Sequence, residues 1–149
     1  MTFLKAYWKN LILINYEVDP KLLEPYVPLG TELDSYNGKC FVSVVGFLFM
    51  DTRVLGIKLP YHINFEEVNL RFYVQRNGER GVVFIKEIVP KPLITLVANS
   101  LYHEHYFTAK MKHKWLEDEN SKTFEYQWKL KDKWQSISVE TEIEFSSIP

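Results

Sequence analysis

The sequence predicts an α+β domain, with mostly antiparallel strands forming a curved sheet or barrel and two short helices. Three observations carry this. Aromatic residues make up 15% of the chain. Together with β-branched residues they recur at period two, which favours half-buried strands. Two Asn-Gly pairs, Asn37-Gly38 and Asn77-Gly78, stand between such runs and are strong hairpin signals. Only two stretches carry helix-start signals, each with proline at its first turn.

The elements follow in order. Leu11 to Val18 reads as a strand. Asp19-Pro20 supplies an N-cap and a first-turn proline, so Lys21 to Tyr26 is predicted as a short helix, stopped by Pro28 and Gly30. Thr31 to Tyr36 is predicted as a strand, and Asn37-Gly38 turns the chain into Lys39 to Met50. That run is almost wholly apolar, as a strand buried on both faces requires. Asp51 to His62 holds Gly56 and Pro60 and reads as a loop. Asn64 to Arg76 is the next strand, followed by the Asn77-Gly78 turn and Gly81 to Val89 as its partner. Leu93, Leu96, Val97 and Leu101 sit at helical spacing, which predicts a helix over Pro92 to Tyr102.

Three amphipathic strands close the chain. Phe107, Ala109, Met111, His113 and Trp115 share a face opposite Thr108, Lys110, Lys112 and Lys114. Phe124, Tyr126, Trp128 and Leu130 share a second face. Ile137, Val139, Thr141, Ile143 and Phe145 share a third, opposite Ser136, Ser138, Glu140, Glu142 and Glu144. Basic and acidic polar faces suit cross-strand charge pairing.

With 149 residues and 17.7 kDa, the chain is long enough for a single domain over 1–149 with a real core. Eighteen basic residues balance nineteen acidic ones, giving a net charge of −1. That argues against nucleic acid as a partner. The single Cys40 excludes an internal disulfide and fits a reducing compartment. Lys5, Lys9, Asn10, Asn15 and Glu17 interrupt the first eighteen residues, which therefore read as mature structure. No apolar run approaches the roughly 20 residues of a membrane span, so a cytoplasmic location with no membrane partner is expected.

The segment Phe65 to Arg76 carries the candidate site. Val68, Leu70, Phe72 and Val74 form one face, and Glu67, Asn69, Arg71, Tyr73 and Gln75 the other. The second face is either wet surface or the lining of a polar pocket. A carboxylate, an amide, a guanidinium and a phenol in register suit a small polar ligand. Glu67 and Arg71 stand about 13 Å apart at their α-carbons. Arg71 offers a bidentate fork for a carboxylate or phosphate. His103 and His105 would share a side in an extended segment, but only His62, His113 and Cys40 remain as further ligands. No metal and no cofactor is therefore expected. His103, His105 and Tyr106 are instead placed at the pocket mouth, with His105 an acid if buried beside Glu67. Trp8, Trp115, Trp128 and Trp134 read as core or interface aromatics, and Lys110, Lys112 and Lys114 as a solvated face.

Tyr16-Glu17-Val18-Asp19-Pro20, Leu22-Leu23, Pro25, Val27-Pro28-Leu29-Gly30, Leu33-Asp34 and the strand Phe41 to Phe49 together resemble domain-of-unknown-function family 2071, the YqjF-like bacterial proteins. The most specific part is Glu67-x-Asn69-x-Arg71-x-Tyr73-Val74, with Gly81-Val82-Val83-Phe84 and Tyr106 to Met111 after it. That family is similar to the acetoacetate decarboxylase fold, a curved antiparallel barrel around a cavity. The resemblance implies that Glu67 corresponds to a glutamate of the decarboxylase pocket. It also puts Tyr106 near the position of the Schiff-base lysine, so decarboxylase-type Schiff-base chemistry is not expected. Members of the family continue beyond the equivalent of Pro149. The resemblance therefore implies a smaller barrel or an open sheet edge, which invites a homodimer.

Three functions remain open from the sequence. The first is a domain binding a small anionic or carbonyl-containing molecule through Glu67, Asn69, Arg71, Tyr73, His103 and Tyr106. The second is a lyase or hydrolase for a small carboxylate or keto compound, with Glu67 or His105 as catalytic acid/base. The third is a non-catalytic interaction or oligomerisation protein.

Overall fold

Alternating apolar residues and tight turns build two sheets. The computed structural model describes residues 4–54, 56–58, 60–103 and 105–143. Strands β1 (Leu4–Val18), β3 (Cys40–Val54), β4 (Phe65–Arg76), β5 (Glu79–Val89) and β6 (Tyr106–Thr108) lie side by side in that order, and the short β2 (Glu32–Leu33) also pairs with β4. All pairs are antiparallel except β5 with β6, which run parallel and are joined through helix α1 (Pro92–Tyr102). A second sheet is the meander β7 (Met111–Glu117), β8 (Ser121–Leu130) and β9 (Lys133–Glu142). Among the described residues the sheets are curved and do not close, so the curved sheet expected from sequence is present and the barrel is not.

Local chemistry explains where expected elements changed. β1 begins at Leu4 and not Leu11, because register shifts at Lys5/Tyr7 and Lys9/Ile12 absorb the polar interruptions. The expected helix over Lys21 to Tyr26 is two 3-10 turns, Pro20–Leu22 and Glu24–Tyr26. Asp19 does cap the first, accepting from the Lys21 amide at 3.0 Å, but Pro25 has no amide to continue an α-helix. Of Thr31 to Tyr36 only Glu32–Leu33 pairs as strand. β3 runs on to Val54, shortening the expected loop. Both Asn-Gly turns form with the positive φ angles they require: 51° and 76° at Asn37-Gly38, 53° and 81° at Asn77-Gly78.

The strand expected from Phe107 to Trp115 is two strands in different sheets. The Ala109 amide still donates to Val89 of the large sheet at 3.1 Å. The next carbonyl, Lys110, accepts from Lys129 of β8 at 2.9 Å. The chain changes sheets between these residues. Of the third closing strand, Glu144 and Phe145 lie outside the described residues. Helix α1 has the expected bounds, but it turns Ile94 and Ala98 to the core, while Leu93, Leu96 and Leu101 are exposed.

Each face of the large sheet has its own cover. Val45, Phe47 and Phe49 of β3 pack with Phe65, Val89 and Ile94 on the α1 side. On the other face Ile12 and Val68 pack with Tyr126 and Ile137 of the small sheet. Farther along that face, Leu23 of the 3-10 region covers Cys40, Phe72 and Val74. The inter-sheet contact depends on Gly46, where a Cβ would stand 2.8 Å from the Tyr126 ring and 3.0 Å from Ile137. The Tyr126 hydroxyl then donates to the Asn10 carbonyl at 2.7 Å, inside the β1 irregularity where Asn10 has φ 51°. His113 of β7 bridges to Glu66 of β4 at 2.7 Å. Gly46→Ala is expected to cost about 1–3 kcal/mol through overpacking, with urea denaturation as the check. An unchanged midpoint would mean that the ring can move away.

Candidate binding site

Residues directly opposed in paired strands share a face. Glu67 stands opposite Phe47, Asn69 opposite Val45, and Arg71 opposite Ser43. On the other side Asn69 faces Glu87, Arg71 faces Phe84, and Tyr73 faces Val82. Glu67, Asn69, Arg71 and Tyr73 therefore form one row on the α1 side of the sheet, as their alternation predicts. A register shift at Leu70/Arg71 inserts an extra residue in β5. It reverses the alternation, so Glu87 and Phe84 lie on the same face.

The row passes from a buried end to an open one. Glu67, Asn69, Glu87 and Ser43 are buried. Asn69 Nδ2 donates to Glu67 Oε1 at 3.0 Å, and the Tyr106 hydroxyl reaches Glu67 Oε2 at 3.4 Å. Tyr106 is itself fixed by Asn99 of α1, whose amide donates to the Tyr106 carbonyl and accepts from its backbone N–H, both at 2.8 Å. At the open end, the Arg71 guanidinium lies 6.0 Å from the Tyr73 ring centre. Ser43 Oγ is 2.6 Å from the Tyr73 hydroxyl and donates to Asn15 Oδ1 at 2.5 Å.

Two buried atoms in the row, Asn69 Oδ1 and Arg71 Nε, have no hydrogen-bond partner among the described residues. One is an acceptor and the other a donor, on successive positions of the same face. Burial pushes the Glu67 carboxyl up to about 8. The hydrogen bond from Asn69 opposes this, the nearby Glu87 carboxylate adds to it, and the Tyr106 hydroxyl opposes it again. Near neutrality Glu67 is thus largely a neutral acid, able to donate a hydrogen bond or a proton.

The row and Tyr106 come together, whereas the two histidines do not join them. His103 is the exposed left-handed C-cap of α1, with φ 55°. His105 is exposed, and not buried beside Glu67 as an acid role required, because the residue in register with Glu87 is its neighbour Tyr106. Neither imidazole makes a hydrogen bond among the described residues. No group of three or more His, Cys, Asp or Glu side chains there could hold a metal ion. Glu87, Ser43, Asn15 and Asn99 escaped the sequence reading. An acid followed directly by the apolar Ile88 and Val89 at the end of β5 was the signal for Glu87.

Comparison with known proteins bears on the fold and the family. The family model DUF2071, described as an uncharacterized conserved protein, matches residues 5–148. Uncharacterized protein YqjF of Bacillus subtilis (strain 168) is 32% identical over 110 residues, covering 73% of this chain and 46% of the relative. Acetoacetate decarboxylase from Legionella pneumophila superposes with a TM-score of 0.68 at 18% identity, covering 89% of this chain and 47% of that structure. The enduracididine biosynthesis enzyme MppR complexed with pyruvate gives a TM-score of 0.68 at 12% identity, covering 93% and 57%. The chain thus spans about half the length of the relatives it matches. Its fold is that of the acetoacetate decarboxylase-like proteins, and by the family match and the identity to YqjF the chain belongs to the DUF2071 family.

Proposed function

We propose that this chain binds a small carboxylate- or carbonyl-containing molecule against the row Glu67, Asn69, Arg71 and Tyr73. The observation that carries this is the pair of buried, unpartnered atoms of opposite hydrogen-bonding sense, Asn69 Oδ1 and Arg71 Nε. Unpaired buried polar groups are costly, and a ligand with an acceptor for Arg71 and a donor for Asn69 relieves both. The structural neighbour MppR has been solved with pyruvate, which supports an acid of this class. The test is thermal stability against small carboxylates, keto acids and phosphates, with wild type and Arg71→Ala side by side. A ligand at 100 times its Kd adds about 2.7 kcal/mol. A shift in wild type that disappears in Arg71→Ala is the expected result. Equal shifts in both proteins would end Arg71's role.

A second reading, a lyase or hydrolase using Glu67 as acid, draws support from the raised Glu67 pKa. It predicts turnover that falls with an apparent pKa near 8 and is lost in Glu67→Gln. Turnover retained in that variant would exclude it. Tyr106, which contacts Glu67 where the resemblance puts the lysine, supports no Schiff base.

A further inference from the structure

Beyond Arg71 the row opens into a cleft of about 280 Å³ beside the Asn37-Gly38 turn. Tyr36, Phe41 and Tyr73 line it as aromatic walls, with Asn15, Asp34, Ser35 and Arg80 as its polar members. All of these but Ser35 are already engaged. Arg80 Nε lies 3.1 Å from Asp34 Oδ2. Asn15 Oδ1 and the Tyr73 hydroxyl are both held by Ser43 Oγ. The cleft therefore presents aromatic surface and mostly engaged polar groups, while the buried unpartnered atoms stand farther along the same strand at Asn69 and Arg71. Tyr73 belongs to both regions, since its ring lines the cleft and lies beside the Arg71 guanidinium. Positions 71 and 73 are about 6.6 Å apart along the strand, a distance that a few methylenes or one ring spans. The cleft volume lies just under the roughly 300–1,000 Å³ of pockets that hold whole drug-sized ligands, which suits part of a ligand.

We propose that this cleft is a tail subsite, taking the aliphatic or aromatic tail of a carboxylic acid whose head sits at Arg71. The inference rests on the assignment of Arg71 as the anion anchor. It narrows the ligand class to tailed acids, aryl-alkyl or medium-chain, over acids of two to four carbons. The head uses the orphaned donor, and the tail replaces water over the rings of Phe41, Tyr36 and Tyr73, where no buried polar atom among the described residues lacks a partner.

Calorimetric titration of the chain with acetate, butyrate, hexanoate and 3-phenylpropanoate tests this. Each methylene buried in the cleft tightens binding by up to about fourfold, so hexanoate is expected to bind at least tenfold tighter than acetate. Phe41→Ala is expected to shrink that ratio toward one while leaving the weak binding of acetate in place. Tyr36→Ser, at a side chain 67% exposed, is expected to reduce the ratio without risk to the fold. Arg71→Ala is expected to weaken the whole series by a common factor and keep the ratio. Affinity independent of tail length, or a ratio unchanged in both Phe41→Ala and Tyr36→Ser, overturns the tail subsite. A ratio that responds to those two variants together with affinities indifferent to Arg71→Ala overturns the anchor and leaves the cleft as an apolar site. Absence of binding by every acid overturns both.

Discussion

Glu67→Gln is expected to remove much of the chain's loss of stability between about pH 4.5 and pH 8. The Glu67 carboxyl titrates at about 8 in the fold against 4.5 in its ordinary state. In that window the folded protein keeps a proton that the unfolded chain has released. Stability from this group is therefore complete below pH 4.5 and is lost as pH rises towards 8. At about 1.4 kcal/mol per pKa unit, a rise from 4.5 to about 8 corresponds to a loss on the order of 5 kcal/mol. Glutamine has the shape of the protonated acid and no such transition. Urea denaturation at pH 5 and pH 8.5 is the check. The two proteins should be close in stability at pH 5, and the variant should be well ahead at pH 8.5. Parallel pH profiles would mean that Glu67 is solvated in solution, and the buried end of the site would have to be redrawn.

The second large effect lies at the contact between the sheets. Tyr126 is fully buried, its ring rests on the bare backbone of Gly46, and its hydroxyl donates to the Asn10 carbonyl. Tyr126→Ala removes the ring and leaves a cavity, so a loss of about 3–5 kcal/mol is expected. Tyr126→Phe keeps the ring and removes only the hydrogen bond, for about 1 kcal/mol. Guanidinium denaturation of both variants separates packing from hydrogen bonding. If Tyr126→Phe cost as much as Tyr126→Ala, the hydroxyl rather than the ring would hold the sheets together.

The polar row on β4 was legible because a strand's alternation is a property of its own residues. The bounds of α1 were legible for a similar reason, since Pro92 marks its start locally. What escaped depends on partners far away in the chain. Glu87 joins the row only because an extra residue in β5 reverses its alternation at Leu70/Arg71. The break between β6 and β7 was hidden because the alternation from Phe107 to Trp115 continues across it, although the hydrogen bonds of Ala109 and Lys110 go to different sheets. The turn between β8 and β9 puts Lys131 and Asp132 at φ 45° and 63°, with neither glycine nor asparagine to announce it. That His105 is not buried beside Glu67 escaped because which of two neighbours faces inward at the start of β6 is set by pairing with β5, and Asn99 then fixes Tyr106 in place.

The hydrogen bond from Tyr126 to Asn10 joins residues 116 positions apart, and this has a consequence for the order of folding. The meander β7, β8 and β9 pairs neighbours in sequence, and short loops close quickly. The bond to Asn10 closes one of the longest loops in the chain, and contacts of that separation slow folding. Docking of the meander on β1 is therefore expected late in folding, with the Tyr126 contact absent from the rate-limiting state. Loss of that contact then appears as faster unfolding at a nearly unchanged folding rate. On that expectation the seam between the sheets sets how long the native state lasts rather than how soon it forms.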